Sequence, residues 1–315
     1  MDIAQLKIQL KPLDLSSTGL QHTPGMHERD YFSFYGIDLE NQLDGVRHEL
    51  GHIDTQGYRV ACHIYRKEQA RGTFFLLHGY YDHVGLFPHI LKFMLESGYS
   101  VFAFDLPGHG LSSGSPASIP DFGRYTLILK DILKLCQNQL PAPWHAYGQS
   151  TGCAILTDLL MELAGSGESS PFDKVVLSAP LVRPWLWRLG RLQLYLLRPF
   201  IRQLSRNFTD NCRDEAFLKF AYSDPLTPRV LPTEWVSALG RWIRKIESVS
   251  SKSSISPLII QGTCDRTIDA KHNIQVLSRL FTRPQVLYLE GARHHLPNEL
   301  PEAREEYMKW LSALL

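Results

Sequence analysis

The sequence predicts an α/β protein: a mostly parallel eight-stranded sheet flanked by helices, with a helical cap inserted into it. Three observations carry that expectation. Short β-branched or aromatic runs alternate with segments of helical spacing along most of the chain. Several of these runs, such as Thr73-Phe-Phe-Leu-Leu-His78, are almost continuously apolar, as strands buried on both faces are. From about residue 183 to residue 253 the alternation stops and a mainly helical segment replaces it.

Residues 1–42 show no clear period and read as an extended arm. Val46–Asp54 and Tyr58–Arg66 read as strands paired around Gln56-Gly57, a dipeptide suited to a tight turn. Strands are then expected at Thr73–His78, Tyr99–Asp105, Trp144–Gly148 and Lys174–Ala179, with helices at Gly85–Ser97, Asp121–Gln139 and Gly152–Ala164. Pro141-Ala-Pro143 stops the second of those helices. After the cap the rhythm resumes: strand Leu258–Gln261, helix Ala270–Phe281, strand Gln285–Leu289 and helix Pro301–Leu315. The core is therefore expected over 43–182 and 254–315, and the cap over 183–253. Ser248–Ser256, with six serines in nine positions, closes the cap as a linker.

Composition narrows the function. The chain has 315 residues, is 44% hydrophobic and 21% charged, and carries a net charge of +1. That is the profile of a soluble globular protein, with no global charge to recruit nucleic acid. Its five cysteines are odd in number and scattered, without the spacing of a zinc site or a disulfide framework. The first residues lack the basic start and apolar run of a signal peptide, and no apolar stretch is long enough to span a bilayer. The expectation is a cytoplasmic protein that uses no metal or organic cofactor.

Gly-x-Ser-x-Gly occurs twice, around Ser150 and around Ser112. A nucleophile elbow requires a strand running into a sharp turn and then a helix, with glycines where the turn is crowded. Ser150 has that context, between Trp144-His-Ala-Tyr-Gly and Cys153-Ala-Ile-Leu-Thr-Asp-Leu-Leu. Ser112 is followed by Ser-Gly-Ser-Pro-Ala-Ser-Ile-Pro, which is no helix, and reads as a turn residue. A serine needs an imidazole to take its proton and a carboxylate to orient the imidazole. Behind an elbow these follow in the order acid, then histidine, each after a strand. Asp265 follows the Leu258 strand and His294 the Gln285 strand, with Asp269 and His295 as rivals close by. Helix-capping and inert surface roles are the ordinary alternatives for such residues. Thr151 can offer its backbone N–H to an oxyanion from the start of a helix, and Tyr80 is the expected second donor. Gly79, Gln149 and Trp185 are expected to contact substrate.

The cap is basic. Between Arg183 and Lys252 there are 13 Lys/Arg against 6 Asp/Glu. Arg183–Arg206 holds six arginines and no acid, interleaved with Trp185, Trp187, Leu189, Leu192, Leu196, Phe200 and Leu204. At about 100° per residue, Arg188, Arg191, Arg198, Arg202 and Arg206 share one sector of about 80°, with a kink expected at Pro199. The functional reading is a lid touching anionic lipid at the inner face of a membrane. The ordinary reading is a packed helix with a solvated charged face.

These residues together resemble the monoacylglycerol lipase and lysophospholipase branch of the α/β-hydrolase superfamily. His78-Gly79 with Asp82-His83, Asp105-Leu-Pro-Gly-His-Gly-Leu-Ser112, Gly148-Gln-Ser-Thr-Gly152, Gln261-Gly-Thr-Cys-Asp-Arg266 and Glu290-Gly-Ala-Arg-His294 fall in the family's order. The family's base follows Gly-Ala-x, which points to His294; its residue after the nucleophile is usually Met, here Thr151. The resemblance implies the α/β-hydrolase fold and hydrolysis of a single-chain lipid ester, of lysophospholipid or monoacylglycerol type. An amide or peptide hydrolase of proline-aminopeptidase type on the same triad remains an alternative, as does a non-catalytic binding protein. Fold alone does not separate these readings.

Overall fold

The computed structural model describes residues 1–16, 23–197 and 200–315. The chain opens not as an extended arm but with two helices, α1 (Ile3–Gln9) and α2 (Met26–Tyr35). Asp2 caps α1 by accepting from the Gln5 amide, and Gly36 ends α2 in the left-handed conformation. One face of α2 buries Tyr31, Phe32 and Tyr35. The aromatic residues at i and i+4, Tyr31 and Tyr35, are a helical signal, masked in the sequence by the polar run His27, Glu28, Arg29 and Asp30 that precedes them.

β1 (Val46–Thr55) and β2 (Tyr58–Lys67) form an antiparallel hairpin, with Thr55 paired to Tyr58. Gln56 and Gly57 both have positive φ, +50° and +80°, as a tight hairpin turn requires. Then come β3 (Thr73–Leu77), α3 (Pro88–Glu96), β4 (Ser100–Phe104), α4 (Gly123–Cys136), β5 (Trp144–Gln149), α5 (Thr151–Ser166) and β6 (Lys174–Ser178). The cap region comprises α6 (Trp187–Leu197), β7 (Gln203–Ser205), α7 (Glu215–Ser223), β8 (Val230–Pro232) and α8 (Thr233–Ser248). β9 (Leu258–Gly262), α9 (Ala270–Leu280), β10 (Gln285–Leu289) and α10 (Pro301–Ser312) complete the chain.

The eight-stranded sheet runs β1-β2-β4-β3-β5-β6-β9-β10, as expected of the fold class. β2 pairs antiparallel on both sides, and every pairing from β4 to β10 is parallel. All residues of β3, β4 and β9 are buried, which explains their unbroken apolar runs. Crossover helices bring each parallel strand back in the same direction, so the loops after β3, β5, β9 and β10 converge on one edge of the sheet.

The cap differs from the expected pattern in two ways. β7 and β8 pair antiparallel, so it holds a short ribbon as well as helices. α6 ends at Leu197, so Arg202 and Arg206 lie off the helix that was expected to align them with Arg188 and Arg191. Arg198 and Pro199 lie outside the described residues. α8 buries Trp235, Leu239, Trp242, Ile243 and Ile246, a stripe of helical period facing the core. Its tie to the core is polar: Asp158 on α5 accepts from Trp242 Nε1 at 3.0 Å and from Lys245 Nζ at 2.9 Å. Thr126 on α4 donates to the other Asp158 oxygen at 2.8 Å, so this fully buried carboxylate is satisfied on both sides.

Candidate active site

Ser150 sits where β5 turns into α5, at φ +52° and ψ −106°. A non-glycine residue held there costs about 1–3 kcal/mol and persists only when its surroundings fix it. Here the Ser150 amide donates to the Ser178 carbonyl at 2.9 Å, and the Ser150 carbonyl accepts from Leu181 at 3.3 Å. The flanking glycines have a steric reason. A Cβ on Gly148 would stand 2.7 Å from the Cys153 nitrogen, and one on Gly152 would run into the Leu77 backbone.

His294 Nε2 lies 3.0 Å from Ser150 Oγ, and His294 Nδ1 lies 2.8 Å from Asp265 Oδ2. Ionised Asp265 is acceptor-only, so the Nδ1 proton faces it and Nε2 is left as an acceptor toward the serine. Asp265 is buried, and its other oxygen accepts from the Thr267 amide at 2.8 Å and the Ile268 amide at 3.2 Å. Gln261 Nε2 donates to Oδ2 at 3.1 Å. Burial pushes this carboxyl up, but the charge and hydrogen bond of His294 and these donors outweigh it, leaving Asp265 below the usual carboxylate range.

The rivals point elsewhere. Asp269 caps α9 and binds Arg183 Nη2 at 2.8 Å. His295 turns its Nε2 toward Asp82 at 3.4 Å and packs its ring between Phe87 and Phe217. Ser112 Oγ donates to the Asp105 carbonyl at 2.6 Å and accepts from the Ala61 amide at 2.8 Å, so it braces a turn.

A cavity of about 470 Å³ opens beside Ser150. Tyr80, Thr151 and the half-exposed Trp185 line it, and Gly79 lies close enough that an added Cβ would approach Ser150 Cβ to 3.5 Å. Gln149 is a correction. It was expected at the substrate, but it is fully buried, does not line the cavity, and donates from Nε2 to the His294 carbonyl at 2.9 Å. As the last residue of β5 it points its side chain under the histidine loop instead. Among the described residues no group of three or more His, Cys, Asp or Glu could hold a metal ion.

Three functional contacts escaped sequence reasoning. His78 accepts from the Leu106 amide on Nε2 at 2.8 Å, so its Nδ1 proton holds the Gly79 carbonyl at 2.7 Å. Burial drives its imidazole down to about 3, keeping it in this neutral form. Asn211, from the cap, accepts through its carbonyl from the His294 and His295 amides at 2.9 and 2.8 Å. Trp235 of α8 stacks on the Tyr80 ring. The His78-Gly79 pair was visible as a motif; the other two join distant segments and leave no local signal.

Comparison with known proteins agrees with this architecture. A family model described as serine aminopeptidase, S33, matches residues 68–301. A monoglyceride lipase homolog of monkeypox virus is 24% identical over 242 residues, covering 75% of this chain and 86% of that protein. Human monoglyceride lipase is 26% identical over 274 residues, covering 82% and 89%. Among solved structures, a soluble variant of Saccharomyces cerevisiae monoglyceride lipase bound to a substrate analogue superposes with a TM-score of 0.71. It is 18% identical and covers 85% of this chain and 94% of that one. The shared fold is the α/β-hydrolase fold.

Proposed function

This chain belongs to the serine aminopeptidase S33 (Hydrolase_4) family of α/β hydrolases, and from that premise we propose that it is a serine hydrolase of single-chain lipid esters, of monoacylglycerol or lysophospholipid type. The observation that carries the reading is the chemistry of the cavity beside Ser150. Among the described residues its wall is aromatic and aliphatic with a few neutral polar groups, and no charged side chain lines it. An acyl chain fits such a wall. An aminopeptidase needs a carboxylate for its substrate's ammonium group, and among the described residues none lines this cavity. Monoglyceride lipases among the relatives favour the same substrate class.

In this reading Ser150 Oγ attacks the ester carbonyl as His294 Nε2 takes its proton, while Asp265 holds the imidazole and stabilises its charge. The oxyanion receives the Thr151 and Tyr80 amides, each worth about 100- to 1,000-fold in rate. Collapse of the intermediate returns the proton from His294 to the departing alcohol and leaves an acyl-serine. Water, deprotonated by the same imidazole, then releases the fatty acid and regenerates Ser150.

The outer face of the cap supports contact with an anionic bilayer. Trp185, Leu189 and Leu192 are exposed, Phe200 is 87% exposed, and Arg188 and Arg191 lie among them. No described helix is long and apolar enough to cross a membrane.

The test is turnover of mono-oleoylglycerol, lysophosphatidylcholine and amino-acid p-nitroanilides by the wild type and by Ser150→Ala, with and without phosphatidylserine vesicles. Ester turnover lost in the variant supports the proposal, and stimulation by the vesicles supports the membrane contact. Release of nitroaniline without ester turnover would transfer the site to amide hydrolysis.

A further inference from the structure

The peptide between Gly79 and Tyr80 is planar, so whatever holds the Gly79 carbonyl aims the Tyr80 N–H the opposite way. That carbonyl is held by the His78 ring at 2.7 Å and by the Asp82 amide at 3.2 Å. The turn has an unusual feature: Tyr81 sits at φ +71°, a conformation that bulky residues avoid. Both tyrosines are gripped by residues of the cap region. The Tyr80 ring lies on the Trp235 indole with centroids 3.6 Å apart and planes 16° from parallel, and its hydroxyl donates to the Ala117 carbonyl at 2.7 Å. The Arg206 guanidinium stands 4.1 Å from the Tyr81 ring centroid.

Trp235 is itself referenced to the nucleophile. It is buried near the start of α8, and α8 is tied to α5 through Asp158, with Lys245 also reaching Glu162 at 3.0 Å. α5 begins at Thr151, which carries the other proposed oxyanion donor. A chain of contacts therefore runs from Thr151 along α5, across Asp158 to α8, and from Trp235 to Tyr80.

We propose that Trp235 is a positioning residue for oxyanion stabilisation: its stack on Tyr80 fixes the 79–80 peptide plane with the Tyr80 N–H aimed at the oxygen of the tetrahedral intermediate on Ser150. Acyl transfer then depends on α8 being seated on α5. The inference rests on the reading of Ser150 as nucleophile and Tyr80 as donor.

The experiment compares Trp235→Leu with Trp235→Phe, which keeps an aromatic face, and with Tyr80→Leu, which breaks the same stack from the other side. Steady-state ester kinetics are paired with titration by an alkyl trifluoromethyl ketone, whose adduct with a serine carries an oxyanion. Trp235→Leu is expected to lower kcat by about 10- to 100-fold, the scale of a donor displaced rather than deleted, with KM within about threefold. Ketone affinity should fall by the same factor, and Trp235→Phe should recover most of both. Tyr80→Leu, which also gives up the hydroxyl bond to Ala117, should lose at least as much as Trp235→Leu, and adding Trp235→Leu to it should cost little more, because the stack is already gone. A changed KM with unchanged kcat would make Trp235 merely a cavity wall and overturn the proposal. Equal losses in Trp235→Leu and Trp235→Phe would do the same, since volume and not stacking would then matter. Should Trp235→Leu fail to fold, Tyr80→Leu decides: unchanged kcat and ketone affinity overturn the stack. A wild type without Ser150-dependent ester turnover defeats the functional reading, and ketone affinity indifferent to Trp235 then defeats the clamp separately.

Discussion

Replacing Asp265 by Asn tests the proton logic of the site at a single atom. One carboxylate oxygen accepts the Thr267 and Ile268 amides at 2.8 and 3.2 Å; the other faces His294 Nδ1 at 2.8 Å and Gln261 Nε2 at 3.1 Å. Two backbone donors on the first oxygen force the Asn carbonyl to stay there, so the new amide group must face the imidazole. An NH₂ facing Nδ1 stabilises the tautomer whose proton sits on Nε2, and Nε2, 3.0 Å from Ser150 Oγ, then has no lone pair for the serine proton. The expected loss is about 10,000-fold in kcat, equivalent to about 5 kcal/mol of barrier, with KM little changed. Steady-state hydrolysis of a soluble ester reads the rate, ¹⁵N chemical shifts of His294 read the tautomer, and a melting curve checks the fold. A variant retaining activity within tenfold of wild type, or an imidazole still protonated on Nδ1, would refute the reasoning.

Two further predictions concern stability. Gly152→Ala places a Cβ 2.8 Å from the Leu77 carbonyl carbon and 2.9 Å from Leu77 Cβ, on a strand at the centre of the sheet. Backbone there has nowhere to move, so urea unfolding should show a loss of about 3 kcal/mol; a loss under about 1 kcal/mol would mean the elbow relaxes. Burial holds the His78 imidazole down to about 3 and the His109 imidazole down to about 4, against an ordinary value of 6.5. Below pH 6.5 the unfolded chain takes up protons that the folded chain refuses. Stability present above that pH is therefore lost as pH falls toward 4, by about 1.4 kcal/mol per unit for each histidine. Melting temperatures flat between pH 7 and pH 5 would contradict this.

Much of the architecture could be read locally. A strand buried on both faces writes an unbroken apolar run, and a hairpin writes a turn that tolerates positive φ; both depend on neighbours a few residues away. The elbow is local in part: Gly148 is demanded by backbone atoms of Gly152 and Cys153 in the turn itself, whereas Gly152 is demanded by Leu77 on the neighbouring strand β3. The N-terminal helices were less legible because α2 buries only Tyr31, Phe32 and Tyr35 in its second half, behind a polar first half, and that face gains its worth only on packing. The end of α6 at Leu197 was hidden for a similar reason: the arginine periodicity continues into a segment where β7 pairs with β8 instead.

What the sequence determined by itself was the α/β alternation, the strained serine and the order of acid and base behind it, because each follows from local sterics and strand-end spacing. What the tertiary structure decided was which atom faces which. Asp265 rather than Asp269, and His294 rather than His295, meet at Ser150 because Arg183 takes the first rival and Asp82 the second. Gln149 turns under the histidine loop, and Trp235 reaches over Tyr80 from the cap region. Side chains on neighbouring loop positions are almost equivalent in a linear chain. Their orientation is chosen by partners scores of residues away, and only folding brings those partners within hydrogen-bond or stacking distance.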